Sequence, residues 1–272
     1  MTIPSPSPTG ATRWTAIVLA GQRPGGDPLA AHFAVATKAL IRVKGEPMIG
    51  RVLRTLTAVE RIGAIVVVAR DVAPLRSAPA IAWASDDPRV RFAASASSIA
   101  AGLKDLLGDT GIGWPVLVTT ADHPLLTPEM VTTFLDAAEE GDAAVGLVER
   151  RTLLARYPAN RRTWLRLWKG AYSGANLFAF YSPAVVPLLD DWARVEQDRK
   201  KGWRIAAGFG PALLLRVVTR TISIRGALAR IGRRYGITIV PVLLPQPEAA
   251  IDVDKPDDHA AAEAILAARD AR

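Results

Sequence analysis

The 272-residue sequence has no cysteine and only three histidines. Without cysteine there are no disulfides, no thiolate nucleophile and no cysteine-ligated metal site. With so few histidines, chemistry that depends on several imidazoles has little to work with. Long uncharged stretches are scarce as well. The one long example, 170–189, is interrupted by Ser173, Gly174, Asn176, Pro183 and Pro187, so no membrane-spanning helix is expected. Two phosphate-binding signatures are missing: there is no G-x-G-x-x-G and no Gly-Lys-Ser/Thr. The opening MTIPSPSPTGATR lacks the basic start and apolar middle of a signal peptide. Residues 1–13 read as a disordered lead, and a cytoplasmic location is expected.

What the chain does have is unevenly placed charge. The formal net charge is +8, yet residues 149–235 carry 18 Lys/Arg against 5 Asp/Glu, and the remainder carries 16 against 21. A strongly basic region on a mildly acidic body points to an anionic partner: a phosphate ligand, a lipid surface or nucleic acid. No nucleic-acid module or aromatic stacking platform is visible, so nucleic acid is not expected.

Apolar patterning gives the fold class. Residues 15–20 (TAIVLA), 64–69 (AIVVVA), 115–120 (PVLVTT), 143–148 and 175–181 (ANLFAFY) read as strands, and 237–244 returns to strand. Residues 47–61, 98–107, 127–140 and 256–269 read as helices; TPEM at 127–130 gives a Thr cap followed by Pro. Strands alternating with helices predict an α/β domain over 14–272, a three-layer Rossmann-like mixed, mostly parallel sheet. The stretch at about 190–235 reads as a basic helical insertion near the C-terminus. Arginine beside Trp and Leu on helices suits either an anionic membrane surface or a helical lid or dimer face.

Ligands in such sheets bind at the carboxyl ends of the strands. The segment LAGQRPGGDPLA (19–30) follows the first strand there. Gly21, Gly25 and Gly26 let backbone amides approach a phosphate, and Arg23 adds a cationic fork.

Four stretches, in order, carry a resemblance. AIVLAG with R-x-G and K-A-L-x-x-V-x-G-x-P-M-I-x-R-V-L is the first; SASSIAAGL, VTTADHPLL and AIDVDKPDDH follow. Together they resemble the GT-A-fold nucleotidyltransferase superfamily, nearest to its MobA-like group, the methylerythritol-phosphate cytidylyltransferases and the sugar-phosphate nucleotidyltransferases. The resemblance implies a GT-A-like fold and transfer of NMP from an NTP, with CTP or GTP favoured, to a phosphorylated small-molecule acceptor; the membrane reading of the basic segment would make that acceptor lipid-related. It implies Mg²⁺, with Mn²⁺ as an alternative. Leu19, Ala20 and Gly21 would face base and ribose. Arg23, Gly25 and Lys38 would hold the triphosphate, Ser98 the base, and Asp122 the metal, with Asp254 or its neighbour Asp252 as second carboxylate. Arg23, Lys38 and Asp122 would carry the chemistry. Lys169, Ser173, Gly174 and Asn176 stand where family members hold the acceptor. His123 beside Asp122 reads as a residue behind the metal ligands or at the substrate, with a second metal ligand as the alternative, while His32 and His259 read as surface residues.

Two departures bear on the substrate, and on molybdopterin guanylylation in particular. Gln22–Arg23–Pro24 replaces the second Gly and Ser/Thr, and the spacing to Lys38 is longer. Two other readings stay open on sequence alone: a GT-A glycosyltransferase, against which ADH lacks the second Asp of Asp-x-Asp, and a nucleotide-binding, membrane-peripheral regulator without turnover. A homodimer is compatible with either.

Overall fold

The computed structural model describes residues 13–21, 26–95, 107, 112–196 and 210–271. The expectations for the lead at 1–12, the loop residues Arg23 and Gly25, and Ser98 with nearly all of its helix fall outside these residues.

Chain order begins with β1 (Trp14–Leu19), α1 (Pro28–His32), and a hairpin of β2 (Arg42–Val43) and β3 (Glu46–Pro47). It continues through α2 (Met48–Thr57), β4 (Ile62–Ala69), α3 (Ala73–Arg76), α4 (Ala82–Asp86), β5 (Val90–Ala94) and β6 (Val116–Thr120). Next come α5 (Pro128–Ala138), β7 (Ala143–Glu149), α6 (Arg150–Arg156), β8 (Leu165–Leu167), β9 (Gly170–Phe180) and α7 (Val186–Glu196). The chain closes with α8 (Pro211–Val218), α9 (Ile224–Tyr235), β10 (Ile239–Leu243) and α10 (Pro256–Asp270).

The main sheet has the order β10-β7-β9-β6-β1-β4-β5, with β8 paired to β9. Strands β6, β1, β4 and β5 run parallel, as do β7 and β10, while β9 is antiparallel to β6, β7 and β8. The expected mixed, mostly parallel α/β architecture is what forms. Alternation along β1 shows why both faces are covered. Ala16 and Val18 pack with Leu53 of α2, Phe134 of α5 and Leu266 of α10. Ile17 points the other way, into a second cluster with Val66, Val116 and Leu189 of α7. A third cluster, including Leu147, Leu167, Tyr172, Leu213, Ile224 and Ala227, seats α8 and α9 against the β7–β9 side of the sheet.

Local chemistry sets several boundaries. Thr127 caps α5 by accepting from the Met130 amide at 3.2 Å. The second helix begins one residue later than the sequence suggests, because Pro47 is spent on β3 and stands as the cap before Met48. The β2–β3 hairpin turns through Lys44 and Gly45, at φ 52° and 77°. Two left-handed residues in a row suit the mirror-image turn that matches strand twist, and Gly45 adopts its conformation without a Cβ penalty. Strand β9 starts well before the expected 175 and runs antiparallel, so three of the acceptor candidates, Ser173, Gly174 and Asn176, lie within a strand, while Lys169 stands in the turn before it.

Candidate active site

The carboxyl ends of β1 and β6 lie side by side, and the loops beyond them are stitched together by backbone bonds. The Ala20 amide donates to Val68 O at 2.8 Å and the Ala121 amide to Leu19 O at 3.0 Å. Downstream, the Val253 amide donates to Asp122 O at 3.0 Å. That bond ties the VTTADHPLL loop to the AIDVDKPDDH loop, which are 131 residues apart from Asp122 to Val253 by number (253 less 122).

Lys38 opens a short 3₁₀ turn, Lys38–Leu40, and its side chain enters this junction. Its Nζ donates to Asp122 Oδ2 at 2.6 Å and to Asp254 Oδ1 at 2.5 Å. The side chains are 13%, 22% and 60% exposed for Lys38, Asp122 and Asp254, so the pocket closes around the lysine and opens at Asp254. Burial alone would lower the Lys38 pKa. The charges and hydrogen bonds of Asp122 and Asp254 outweigh it and hold the ammonium above the ordinary lysine value. The cation is therefore permanent at neutral pH.

Asp252 belongs to a different cluster. Its Oδ1 pairs with an Arg162 guanidinium nitrogen, Arg162 also donates to Asp252 O at 2.7 Å, and Asn176 Nδ2 donates to Asp252 Oδ2 at 2.9 Å. Burial pushes the Asp252 carboxyl up, but Arg162 overrides it and holds the group below the usual carboxylate range. With both oxygens committed, Asp252 is not directed at Lys38, and Asp254 is the second carboxylate of the pair. Asn176 reaches Asp252 because of a bulge. Between the pairs Val145–Phe178 and Leu147–Gly174, Gly146 of β7 faces residues 175–177 of β9, and Asn176 sits at φ 50°. Bulges re-aim side chains, and asparagine tolerates that conformation.

The other candidates fall as follows. Leu19 ends β1, Ala20 is buried, and Gly21 is exposed, with nothing within 4 Å of where a Cβ would stand. Lys169 sits at φ 62° in the turn from β8 to β9. Ser173 and Gly174 pair with Val148 and Leu147. Among the described residues no hydrogen bond links Lys169, Ser173 or Gly174 to the Lys38 cluster. His123 is 1% exposed; burial lowers its pKa, and the Asp252 charge offsets this only in part. It is a buried residue held in its neutral form next to Asp122 in the chain. His259 is not a free surface group either: its Nε2 lies 2.7 Å from Arg42 O and its ring packs on Phe33 at 4.5 Å. His32 is exposed.

Arg162 is the side chain of the Asp252 cluster that motif reading passes over. The only signal for it is the basic run YPANRRT, which pattern alone does not single out from the other arginines of 149–235.

The residues fit a hard divalent cation. Asp122 and Asp254 converge on one point, where the Lys38 ammonium lies, and Asp122 Oδ1 is buried with no hydrogen-bond partner. Among the described residues no group of three His, Cys, Asp or Glu is arranged to hold a metal unaided. Two carboxylates completed by phosphate oxygens and water is a common magnesium set.

A family model described as the MobA-like NTP transferase domain matches residues 16–207. The chain belongs to the MobA-like NTP transferase family. It is a nucleotidyltransferase of α/β fold. A structure described as a hypothetical transferase from Thermus thermophilus shares 31% identity with this MobA-like chain at a TM-score of 0.75, covering 91% of this chain and 100% of its own. A 4-diphosphocytidyl-2C-methyl-D-erythritol synthase from Anaerococcus prevotii is similar in fold at 12% identity and TM-score 0.54, covering 94% and 97%. So is a CMP:2-keto-3-deoxy-manno-octonic acid synthetase complexed with CTP, at 13% identity and TM-score 0.57, covering 95% and 100%. No curated protein compared with the chain matches it.

Proposed function

We propose that this MobA-like protein transfers NMP from CTP or GTP to a phosphorylated small-molecule or lipid-related acceptor, with Mg²⁺, and releases pyrophosphate. The observation that carries the reading is Lys38 gripped by Asp122 and Asp254 at the carboxyl ends of β1 and β6. In the reaction an acceptor phosphate oxygen forms a bond to the α-phosphorus as the bond to the bridging α–β oxygen breaks. The electron pair leaves with pyrophosphate.

Both reactants are anions, and two unit charges at about 4 Å still repel by roughly 4 kcal/mol at an effective dielectric near 20. Bound Mg²⁺ supplies part of the neutralisation and would be held by Asp122 and Asp254. Lys38, with its raised pKa, supplies a fixed positive charge for the triphosphate and the departing pyrophosphate. Arg23 and the glycine loop are assigned the same duty from the sequence, with Ser98 at the base and Leu19–Gly21 along the ribose. An acceptor phosphate is largely ionised at pH 7, so no general base is required. The buried, neutral His123 agrees with that.

Pyrophosphate release with CTP, GTP, UTP and ATP over a panel of phosphorylated acceptors, in Mg²⁺, Mn²⁺ and EDTA, tests the proposal. Nucleotide binding without turnover would replace it with a regulator, and consumption of an NDP-sugar with a glycosyltransferase.

A peripheral location on an anionic membrane is proposed for the basic region, within a cytoplasmic setting. Leu215 and Val218 of α8 are 63% and 69% exposed, and Arg216 and Arg220 lie beside them in the chain. No described helix is long and apolar enough to cross a membrane.

A further inference from the structure

Beside the carboxylate pair lies a cavity of about 1020 Å³, between the loop 157–163 and one side of α10. Its position relative to the chemistry is fixed at one end. Asp254 lines it and touches Lys38; Arg162 lines it and is locked to Asp252. From there the floor follows α10 through Ala261, Ala264, Ile265 and Ala268. These positions are spaced i, i+3, i+4 and i+7, so they share one helix face and extend it for about 10 Å. Three of the four are alanine, which leaves open the volume a longer side chain would fill. Pro158 and Ala159 line the cavity from the loop, so an apolar track leads away from the reacting end.

The polar lining is biased toward anions. Arg161 and Lys255 reach the cavity, and among the described residues no carboxylate is ion-paired with either. Its acidic groups are largely occupied. Glu248 accepts from Tyr157 Oη at 2.5 Å, Asp254 is held by Lys38, and Asp258 accepts from the Asp254 and Lys255 amides at 3.1 Å. Two polar atoms of the loop, Arg162 Nε and Asn160 Oδ1, are buried without hydrogen-bond partners.

We infer that this cavity is the acceptor subsite and that it takes an amphipathic phosphate monoester. The phosphate lies at the Asp254–Arg162 end and an aliphatic body lies along the alanine face of α10. The inference rests on the nucleotidyl-transfer reading and deepens it: a compact, fully hydroxylated sugar phosphate would leave the alanine track uncovered. The Arg161 guanidinium, which has no ion pair among the described residues, selects the phosphate. Each methylene laid on the track adds roughly fourfold in affinity when fully buried.

Calorimetric titration of the full chain with decyl phosphate, glycerol 3-phosphate and, separately, CTP and GTP with Mg²⁺ tests this. Decyl phosphate is expected to bind at least tenfold more tightly than glycerol 3-phosphate. Ala264→Trp should weaken decyl phosphate at least tenfold and leave glycerol 3-phosphate and nucleotide within about twofold. Arg161→Glu should weaken both phosphates and spare the nucleotide. Ala264 is exposed, so the tryptophan meets no core, and Ala268→Phe blocks the same track should that variant fail to fold. Equal affinity for the two phosphates, or decyl phosphate binding indifferent to both track variants, overturns the subsite. Track-dependent decyl phosphate binding with no pyrophosphate released from any NTP overturns the transfer reading and leaves the cavity standing.

Discussion

Asp252 and Asp254 stand two positions apart and answer to different demands. Asp252 is a part-buried anion matched to Arg162, whereas Asp254 is 60% exposed and shares Lys38. Asp252→Asn leaves the part-buried Arg162 without its carboxylate partner and should cost about 2 kcal/mol of stability at pH 7 in urea unfolding. The pH dependence has a definite sign. The folded carboxyl pKa lies below its unfolded value near 4, so its contribution is full above that value and disappears as pH falls through the folded pKa. The gap between wild type and Asp252→Asn should therefore close in acid below about pH 4; a gap unchanged at pH 2 would mean the charge is not its source. Asp254→Asn should change stability by less than about 1 kcal/mol and instead abolish most turnover. Lys38→Met keeps the side-chain length and deletes the charge. Pyrophosphate release should fall by about 10²–10³, the range seen when one preorganised stabilising group is removed. A variant retaining a tenth or more of wild-type turnover would remove Lys38 from the chemistry.

At the scale of elements, packing decides what pattern cannot. In α9, a Cβ built on Gly232 would lie 2.3 Å from Ile237 O, backbone that cannot swing aside. Gly232→Ala should destabilise by about 1–3 kcal/mol, read as a lowered melting temperature, and loosen the seat of α9 against β10. In Gly174→Ala the new methyl meets nothing within 4 Å, so stability should hardly change. The same contrast explains what was legible in the sequence. Strands such as β4, apolar on both faces, declare themselves through continuous β-branched runs. Strand β5 (VRFAA) is half-exposed at the sheet edge and lacks such a run, and β8 holds only three residues, so neither stands out. For β9, the residues before 175 pair only through a bulge with β7 and with β8, long-range partners that local periodicity does not report. The site divides the same way. Lys38, Asp122 and Asp254 were legible because each sits in a motif beside a strand end or helix start. Arg162 was not, because its role depends on a partner 90 positions away.

Across the whole molecule the charge is divided, with an excess of 13 positive charges in 149–235 (18 less 5) on a body that is negative overall. Exposed Leu215 and Val218 beside Arg216 and Arg220 combine the two forces that hold a protein to an anionic bilayer. These forces respond differently to salt. The Debye length shrinks from about 10 Å at 0.1 M to about 3 Å at 1 M, which removes most of the cationic attraction and none of the apolar insertion. Co-sedimentation with phosphatidylserine-containing vesicles should thus drop steeply over that range, and binding to purely zwitterionic vesicles should be weak throughout. Charge reversal at Arg216 and Arg220 should lower pelleting at 0.1 M and flatten its salt dependence. Leu215→Asp with Val218→Asp should lower pelleting at both salt concentrations, because an apolar contribution is not screened. Pelleting equal on anionic and zwitterionic vesicles, or insensitive to all four substitutions, would assign the basic region to another anion. Turnover measured with a soluble acceptor should be unaffected by these surface changes, since none of the four side chains lines the cavity or touches the Lys38 cluster.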